Sequence, residues 1–272
     1  MAAERNEMEY VHGYSEKQLK RLGDQAGALA GILHEGVRYP DNTSLLEIGC
    51  GTGSQSVILA ANNPGVKITS VDISEVSLEV ARKNAKKHKL DNITFLRADV
   101  YALPFDKESF DNVFVCFFLE HLKDPVKALG IIRGLLRPGG GVTVIEGDHG
   151  SWYAYPESPE ARKAVQCLVD IQAALGGNGL IGRELFPLLK KAAFRDIKVS
   201  PKVVYVDSDK PELVEGFSKR TFIAMVEGVR KDAIGSGLIE KSAWDKGMKD
   251  MYRATEEDGV FNYTFFSGTA VK

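Results

Sequence analysis

Leu45-Leu46-Glu47-Ile48-Gly49-Cys50-Gly51-Thr52-Gly53-Ser54 is the stretch on which the fold turns. A short, mostly apolar run meets glycines at every second position. The run before the glycines reads as a buried strand. Residues 54–62 after them read as a helix, stopped by Asn63-Pro64-Gly65. Glycine permits a tight turn and close approach of a ligand to the backbone. The helix that follows offers free N–H groups and the positive end of its dipole, which suit a carboxylate.

The same alternation continues outward. Residues 67–72 (Lys-Ile-Thr-Ser-Val-Asp) predict a second strand. Ser74 caps a helix running to about His88, with Glu75 in its first turn. Further strands are predicted over 93–99, 111–117 and 141–146. Asp124-Pro125 places a cap and a first-turn proline before a helix over 126–136. Beyond Gly150, helices are expected over 158–175, 183–192, 211–234 and 242–256, with strands over 197–206 and 261–269. The sum is an α/β fold: a doubly wound, mostly parallel seven-stranded sheet with helical cap elements. A single domain is expected. It has N-terminal helices over 1–40, where Leu19, Leu22, Ala26, Leu29 and Leu33 form an apolar stripe. A cofactor-binding core follows over 41–149, with cap insertions over 150–180 and 209–257.

Composition narrows the function. The chain has 272 residues with 35 Lys plus Arg against 37 Asp plus Glu, a net charge of −2. That leaves no electrostatic footprint for nucleic acid. The basic run from Arg82 to Lys89 reads as the solvated end of a helix. No stretch of 18 apolar residues suggests a membrane span, and the polar first residues suggest no secretory leader. Three widely spaced cysteines, Cys50, Cys116 and Cys167, form no metal motif and suit a cytoplasmic protein with free thiols.

Right-handed crossovers place the C-terminal ends of the parallel strands along one edge, where ligands bind. Asp72, at the end of the second strand, can accept from both hydroxyls of a ribose. Asp99 ends the third strand and can accept from an adenine amino group, or act only as a cap. Glycine spacing alone also fits a nicotinamide-binding fold, but here it is Gly-x-Gly-x-Gly and not Gly-x-Gly-x-x-Gly. Glu47, two residues before the first glycine, disfavours a pyrophosphate beside it. It is either a residue orienting a cationic ligand or a structural acid. Cys50 reads as a small loop filler, and Asp111 and the Arg137-Pro138-Gly139-Gly140 turn as structural.

Leu46 to Gly53, Val71-Asp72-Ile73-Ser74, Ala98-Asp99-Val100 with Leu103-Pro104-Phe105, Ser109-Phe110-Asp111, Leu119-Glu120-His121-Leu122 and Leu136 to Gly140 occur in that order. This set resembles the motifs of class I S-adenosylmethionine-dependent methyltransferases, of the small-molecule type that includes the ubiquinone and menaquinone biosynthesis enzymes. The resemblance covers about residues 40–147. It implies S-adenosyl-L-methionine as cofactor, with Gly49, Cys50, Gly51 and Gly53 around its methionine part and Glu47 orienting that end. It further implies Asp72 on the ribose, Ile73 against adenine, Asp99 and Val100 at the adenine edge, and a carbonyl of Cys116 or Phe117 on the ammonium. Gln55 and Arg21 are candidates for the carboxylate.

On the acceptor side, His149 is the candidate general base, with a local loop hydrogen bond as its alternative role. Tyr14, His121, Trp152, Tyr153 and Tyr155 are expected in a pocket for a small-molecule acceptor, with Tyr10, Phe217, Phe222 and Tyr263 as further aromatic candidates. Asp148 and His149 do not complete an oxygen-rich Mg²⁺ site, so no metal is expected. The competing readings are a non-catalytic S-adenosylmethionine-binding protein and an NAD-dependent oxidoreductase.

Overall fold

The computed structural model describes Gly27 and residues 29–272. Seven strands form one sheet in the order β3-β2-β1-β4-β5-β7-β6. They are β1 Ser44–Ile48, β2 Lys67–Asp72, β3 Ile93–Arg97, β4 Phe110–Cys116, β5 Leu136–Tyr155, β6 Arg195–Val206 and β7 Val260–Val271. β1 pairs in parallel with β2 and β4, β2 with β3, and β4 with β5. β7 runs antiparallel between β5 and β6. The order reverses between β1 and β4, which opens a crevice at the C-terminal ends of those strands.

Central strands bury both faces. Leu45 and Phe114 belong to one core layer, while their chain neighbours Leu46, Val113 and Val115 belong to the other. Helices start where the sequence caps them. Ser74 accepts from Ser77 N–H at 3.2 Å, Asp124 from Lys127 N–H at 2.9 Å and Ser158 from Ala161 N–H at 3.1 Å. At the N-terminal end, Leu29 and Leu33 of the expected apolar stripe are fully buried. Leu19, Leu22 and Ala26 lie outside the described residues.

Two elements differ from the sequence reading. β5 extends far beyond 141–146, because the long aromatic strand β7 supplies a partner as far as Tyr155↔Val260. A register irregularity between Asp148 and Tyr153 absorbs residues 149–152, so His149 sits on a strand and not in a loop. The expected helix over 211–234 is broken. It runs Pro211–Leu213, then a π-helical stretch Val214–Ile223, then Ala224–Gly228 and Arg230–Gly235. Thr221 Oγ1 donates to Gly216 O five residues back at 2.7 Å, which holds the wider turn. Helix Lys241–Arg253 packs on helix Pro159–Ala174 so closely that a Cβ at Gly247 would lie 2.5 Å from Glu160 O.

Candidate active site

The three glycines of the turn do different jobs. All have positive φ: 71° at Gly49, 52° at Gly51 and 76° at Gly53. A Cβ at Gly49 would overlap the Phe118 ring, and one at Gly53 would lie 2.8 Å from Ala81 Cβ. Those two are required by packing as well as by conformation. A Cβ at Gly51 would meet nothing within 4 Å. Gly51 therefore leaves space, and that space belongs to a cavity.

The cavity encloses about 830 Å³ of empty space, part of it open to solvent. One end is formed by Gly49 to Thr52, Ser54 and Gln55, with Cys116 and Phe117 from the end of β4. The other end carries Glu120, Gly147, His149 and Tyr263, walled by Phe217, Thr221, Phe222, Met225 and Phe265. The π-helical stretch thus supplies the wall facing the glycine turn.

Asp72 braces the turn: its carboxylate accepts from Gly51 N–H at 2.8 Å and from Ser74 N–H at 2.9 Å. Burial pushes its pKa up. Glu47 does not line the cavity. It is the register partner of Ser70 on β2, which donates to Glu47 Oε2 at 2.5 Å, so its side chain lies against the neighbouring strand. Burial pushes its pKa up to about 6, against the hydrogen bond from Ser70. One carboxylate oxygen is thus held by the strand beside it, as the structural-acid alternative expects. Asp99 is exposed and accepts from Tyr101 N–H at 2.9 Å, capping the short 3₁₀ turn Val100–Ala102. Ile73 is half-buried and Val100 buried, at the ends of β2 and β3 and outside the cavity lining. Cys50 is buried with its thiol pKa raised by burial, as a filler would be. Asp111 accepts from Ser44 and pairs with Arg137 at 2.6 Å, far from the strand C-termini. Arg21 and Tyr14 lie outside the described residues, as does Tyr10.

The acceptor end centres on His149. Its Nδ1 lies 2.8 Å from the Tyr263 hydroxyl, and its Nε2 is 4.0 Å from Glu120 Oε2. Glu120 Oε2 also accepts from Gln172 Nε2 at 2.9 Å, and its Oε1 is 3.7 Å from His121 Nε2. The Tyr263 hydroxyl rests on the backbone, since a Cβ at Gly147 would come within 2.5 Å of it. Burial keeps that phenol protonated by raising its pKa, helped by the nearby acids. Behind them, fully buried Glu146 accepts from Phe118 N–H at 3.0 Å and Leu119 N–H at 2.7 Å. Burial and the Glu120 charge raise its pKa. Glu146 so anchors the turn Leu119–His121 that carries Glu120. Asp148 turns away from the cavity and is held bidentately by Arg183 at 2.8 Å. Among the described residues no group of three or more His, Cys, Asp or Glu is placed to hold a metal ion.

The expected aromatic pocket is corrected in part. Trp152 is buried in the core beside Phe222 and Phe261, one layer behind the cavity. Tyr153 and Tyr155 are 49% and 62% exposed. The extension of β5 explains both, because strand alternation sends Trp152 inward and its tyrosine neighbours outward. His121 touches Glu120 but does not line the cavity. The further candidates Phe217, Phe222 and Tyr263 do line the cavity, together with Phe117 and Phe265. Glu120, Thr221, Met225 and Phe265 were not singled out as site residues from the sequence. Only the Leu119-Glu120-His121-Leu122 motif pointed toward one of them.

A methyltransferase-domain family model matches residues 40–181, about half of the chain. The chain belongs to the class I S-adenosylmethionine-dependent methyltransferases. A demethylmenaquinone methyltransferase of Lactococcus lactis is 34% identical over 237 residues, covering 86% of this chain and 79% of that protein. One from Thermus thermophilus is 30% identical over 161 residues, covering 48% of this chain and 73% of the relative. Among solved structures, a Haemonchus contortus phosphoethanolamine N-methyltransferase with bound S-adenosylhomocysteine shares the fold at a TM-score of 0.56 and 23% identity. That alignment covers 90% of this chain and 52% of the Haemonchus one. The cofactor of this methyltransferase is S-adenosyl-L-methionine, and the open ground beside Gly51, flanked by the turn and the end of β4, fits it. No helix among the described residues is long and apolar enough to cross a membrane.

Proposed function

We propose that this methyltransferase acts on a small-molecule acceptor bound between the glycine turn and the wall of Phe217, Phe222 and Phe265, with His149 taking the acceptor's proton. One observation carries the reading: His149, Glu120 and the Tyr263 hydroxyl converge at one end of a cavity whose other end is the glycine turn. Gly49, Gly51, Gln55, Cys116 and Phe117 hold the methionine part of the cofactor, and Asp72 serves the ribose. When bound, the cofactor supplies a methyl carbon already activated by its sulfonium. The chain supplies alignment and exclusion of water. For His149 Nε2 to accept a proton, Nδ1 carries the ring proton and donates to the Tyr263 oxygen. Glu120 then stabilises the imidazolium that forms. The aromatic wall favours a planar, apolar acceptor over a macromolecular one. The segments 150–180, helical over Pro159–Ala174, and 209–257 act as its cap, and the cytoplasm is its place of action.

The test is turnover to S-adenosylhomocysteine with a panel of planar hydroxyl- and amine-bearing acceptors. Demethylmenaquinone, named for the Lactococcus relative, heads the panel. His149→Ala is expected to lose about 10²- to 10⁴-fold in turnover with unchanged affinity for S-adenosylhomocysteine. Full activity in that variant would end the base assignment.

A further inference from the structure

The core contains a histidine that the acceptor chemistry does not use. His34 is 3% exposed and follows the helical turn over 29–33, its backbone fixed by His34 N–H to Ala30 O at 3.1 Å and Val37 N–H to His34 O at 3.1 Å. Its ring lies against Phe114 of β4, with centroids 5.7 Å apart. Its Nε2 is 2.6 Å from Gln55 Oε1, while its Nδ1 is buried with no hydrogen-bond partner among the described residues. Burial lowers its pKa, so the ring is neutral. A buried ring nitrogen without a partner is destabilising, a cost that an apolar residue would avoid.

Gln55 is what the histidine touches, and Gln55 lines the cavity. It is the second residue of helix Ser54–Asn62, directly after the glycine turn. A primary amide has one accepting and one donating end. If His34 donates to the oxygen, that oxygen is tied to the core, and the amide nitrogen is the end left for the cavity. A donating end at a helix N-terminus adds to the free N–H groups there and suits a carboxylate. The reversed amide would present an oxygen to an anion and repel it.

We propose that His34 is a positioning residue: with its proton on Nε2 it locks the Gln55 amide so that the nitrogen faces the cavity and receives the carboxylate of the cofactor. This rests on Gln55 serving the methionine end of the cofactor. The neutral tautomer is part of the device, because a proton on Nδ1 would turn Nε2 into an acceptor and call the amide nitrogen back to the core.

Calorimetric binding of S-adenosylhomocysteine, and of its decarboxylated analogue, tests this on the full chain. His34→Phe keeps the ring against Phe114 and removes the donor. It is expected to weaken S-adenosylhomocysteine on the order of tenfold, the scale of one hydrogen bond to a charged group, and to leave the analogue unchanged. Equal weakening of both ligands means a merely structural role and overturns the proposal, as does no change in either. Gln55→Leu separates the underlying assumption: if it leaves S-adenosylhomocysteine binding intact, Gln55 does not hold the carboxylate. Should His34→Phe fail to fold, ¹⁵N NMR of the wild-type imidazole decides. A protonated Nε2 and an unprotonated Nδ1 are expected, and the opposite tautomer overturns the proposal.

Discussion

Replacing Gly51 and Gly53 by alanine, one at a time, separates the glycine that makes room for a ligand from the glycine that packs the fold. Both sit at positive φ, 52° and 76°, where a Cβ costs roughly 1–2 kcal/mol. At Gly53 the new methyl also meets Ala81 Cβ at 2.8 Å and Ala81 Cα at 3.0 Å, between two packed helices. Overpacking of that kind adds about 1–3 kcal/mol. Gly53→Ala should therefore lose roughly 2–5 kcal/mol, which at about 2–4 °C per kcal/mol lowers Tm by about 4–20 °C. Gly51→Ala has no such clash and should lose only the conformational part. Its methyl instead occupies the ground beside the turn that the cofactor needs. The assay is a thermal melt with and without S-adenosylhomocysteine. At a hundredfold excess over Kd the ligand stabilises the wild type by about 2.7 kcal/mol, a shift of several degrees. Gly51→Ala should melt only about 2–8 °C below the wild type without ligand and show no ligand shift. A Gly51→Ala protein that keeps the full shift, or that is as unstable as Gly53→Ala, would refute the division of labour.

Three further outcomes follow from named contacts. Tyr263→Phe removes the hydroxyl 2.8 Å from His149 Nδ1; turnover should fall on the order of 10²-fold while S-adenosylhomocysteine affinity stays, and an unchanged rate would show that the phenol does not hold the imidazole. Trp152→Ala should cost about 3–5 kcal/mol in stability, whereas Tyr155→Ala, 62% exposed, should stay within about 0.5 kcal/mol; denaturant melts of the two variants check this. The buried acid Glu47 has its pKa raised from 4.5 to about 6, so the folded chain holds more protons than the unfolded one between those values. Its contribution to stability is then fully present below pH 4.5 and is lost as pH rises through 6, by about 2 kcal/mol at 1.36 kcal/mol per unit. Glu47→Gln should flatten that part of the stability–pH curve, and an unaltered slope would assign the proton uptake elsewhere.

The two halves of the site differ in how far a reader of the sequence could see them, and the reason is topological. The cofactor end is local. Ile48 to Gln55 is one continuous strand, turn and helix, and the residues that deviate from generic chain are glycines whose conformations nothing else adopts cheaply. Pattern and chemistry coincide there, so a reader of the sequence groups Gly51 and Gln55, which line the cavity, with Asp72, which braces the turn. Glu47 was left with two readings because its surroundings depend on a neighbouring strand: the pairing Glu47↔Ser70 brings the hydroxyl that holds one of its oxygens.

The acceptor end is assembled from four distant segments. Glu120 comes from the turn after β4, His149 from β5, Phe217 to Met225 from the π-helical stretch and the helical turn that follows it, and Tyr263 and Phe265 from β7. β7 enters between β5 and β6, although it is last in the chain. That insertion lengthens β5, turns Trp152 into the core and exposes Tyr153 and Tyr155. Sequence proximity to the end of a short fifth strand therefore favoured the wrong aromatics. It is also why His149 and Tyr263 could each be named but not as partners: they stand 114 positions apart and meet through the antiparallel pairing of β5 with β7. The wall is subject to the same logic. A period-3.6 reading of 211–234 puts Phe217 and Phe222 on different helix faces, whereas the wider π turn brings residues five apart into line. Their common presence in the cavity is thus a consequence of the broken helix, and substitutions that restore a regular α-turn at Gly216 would separate them.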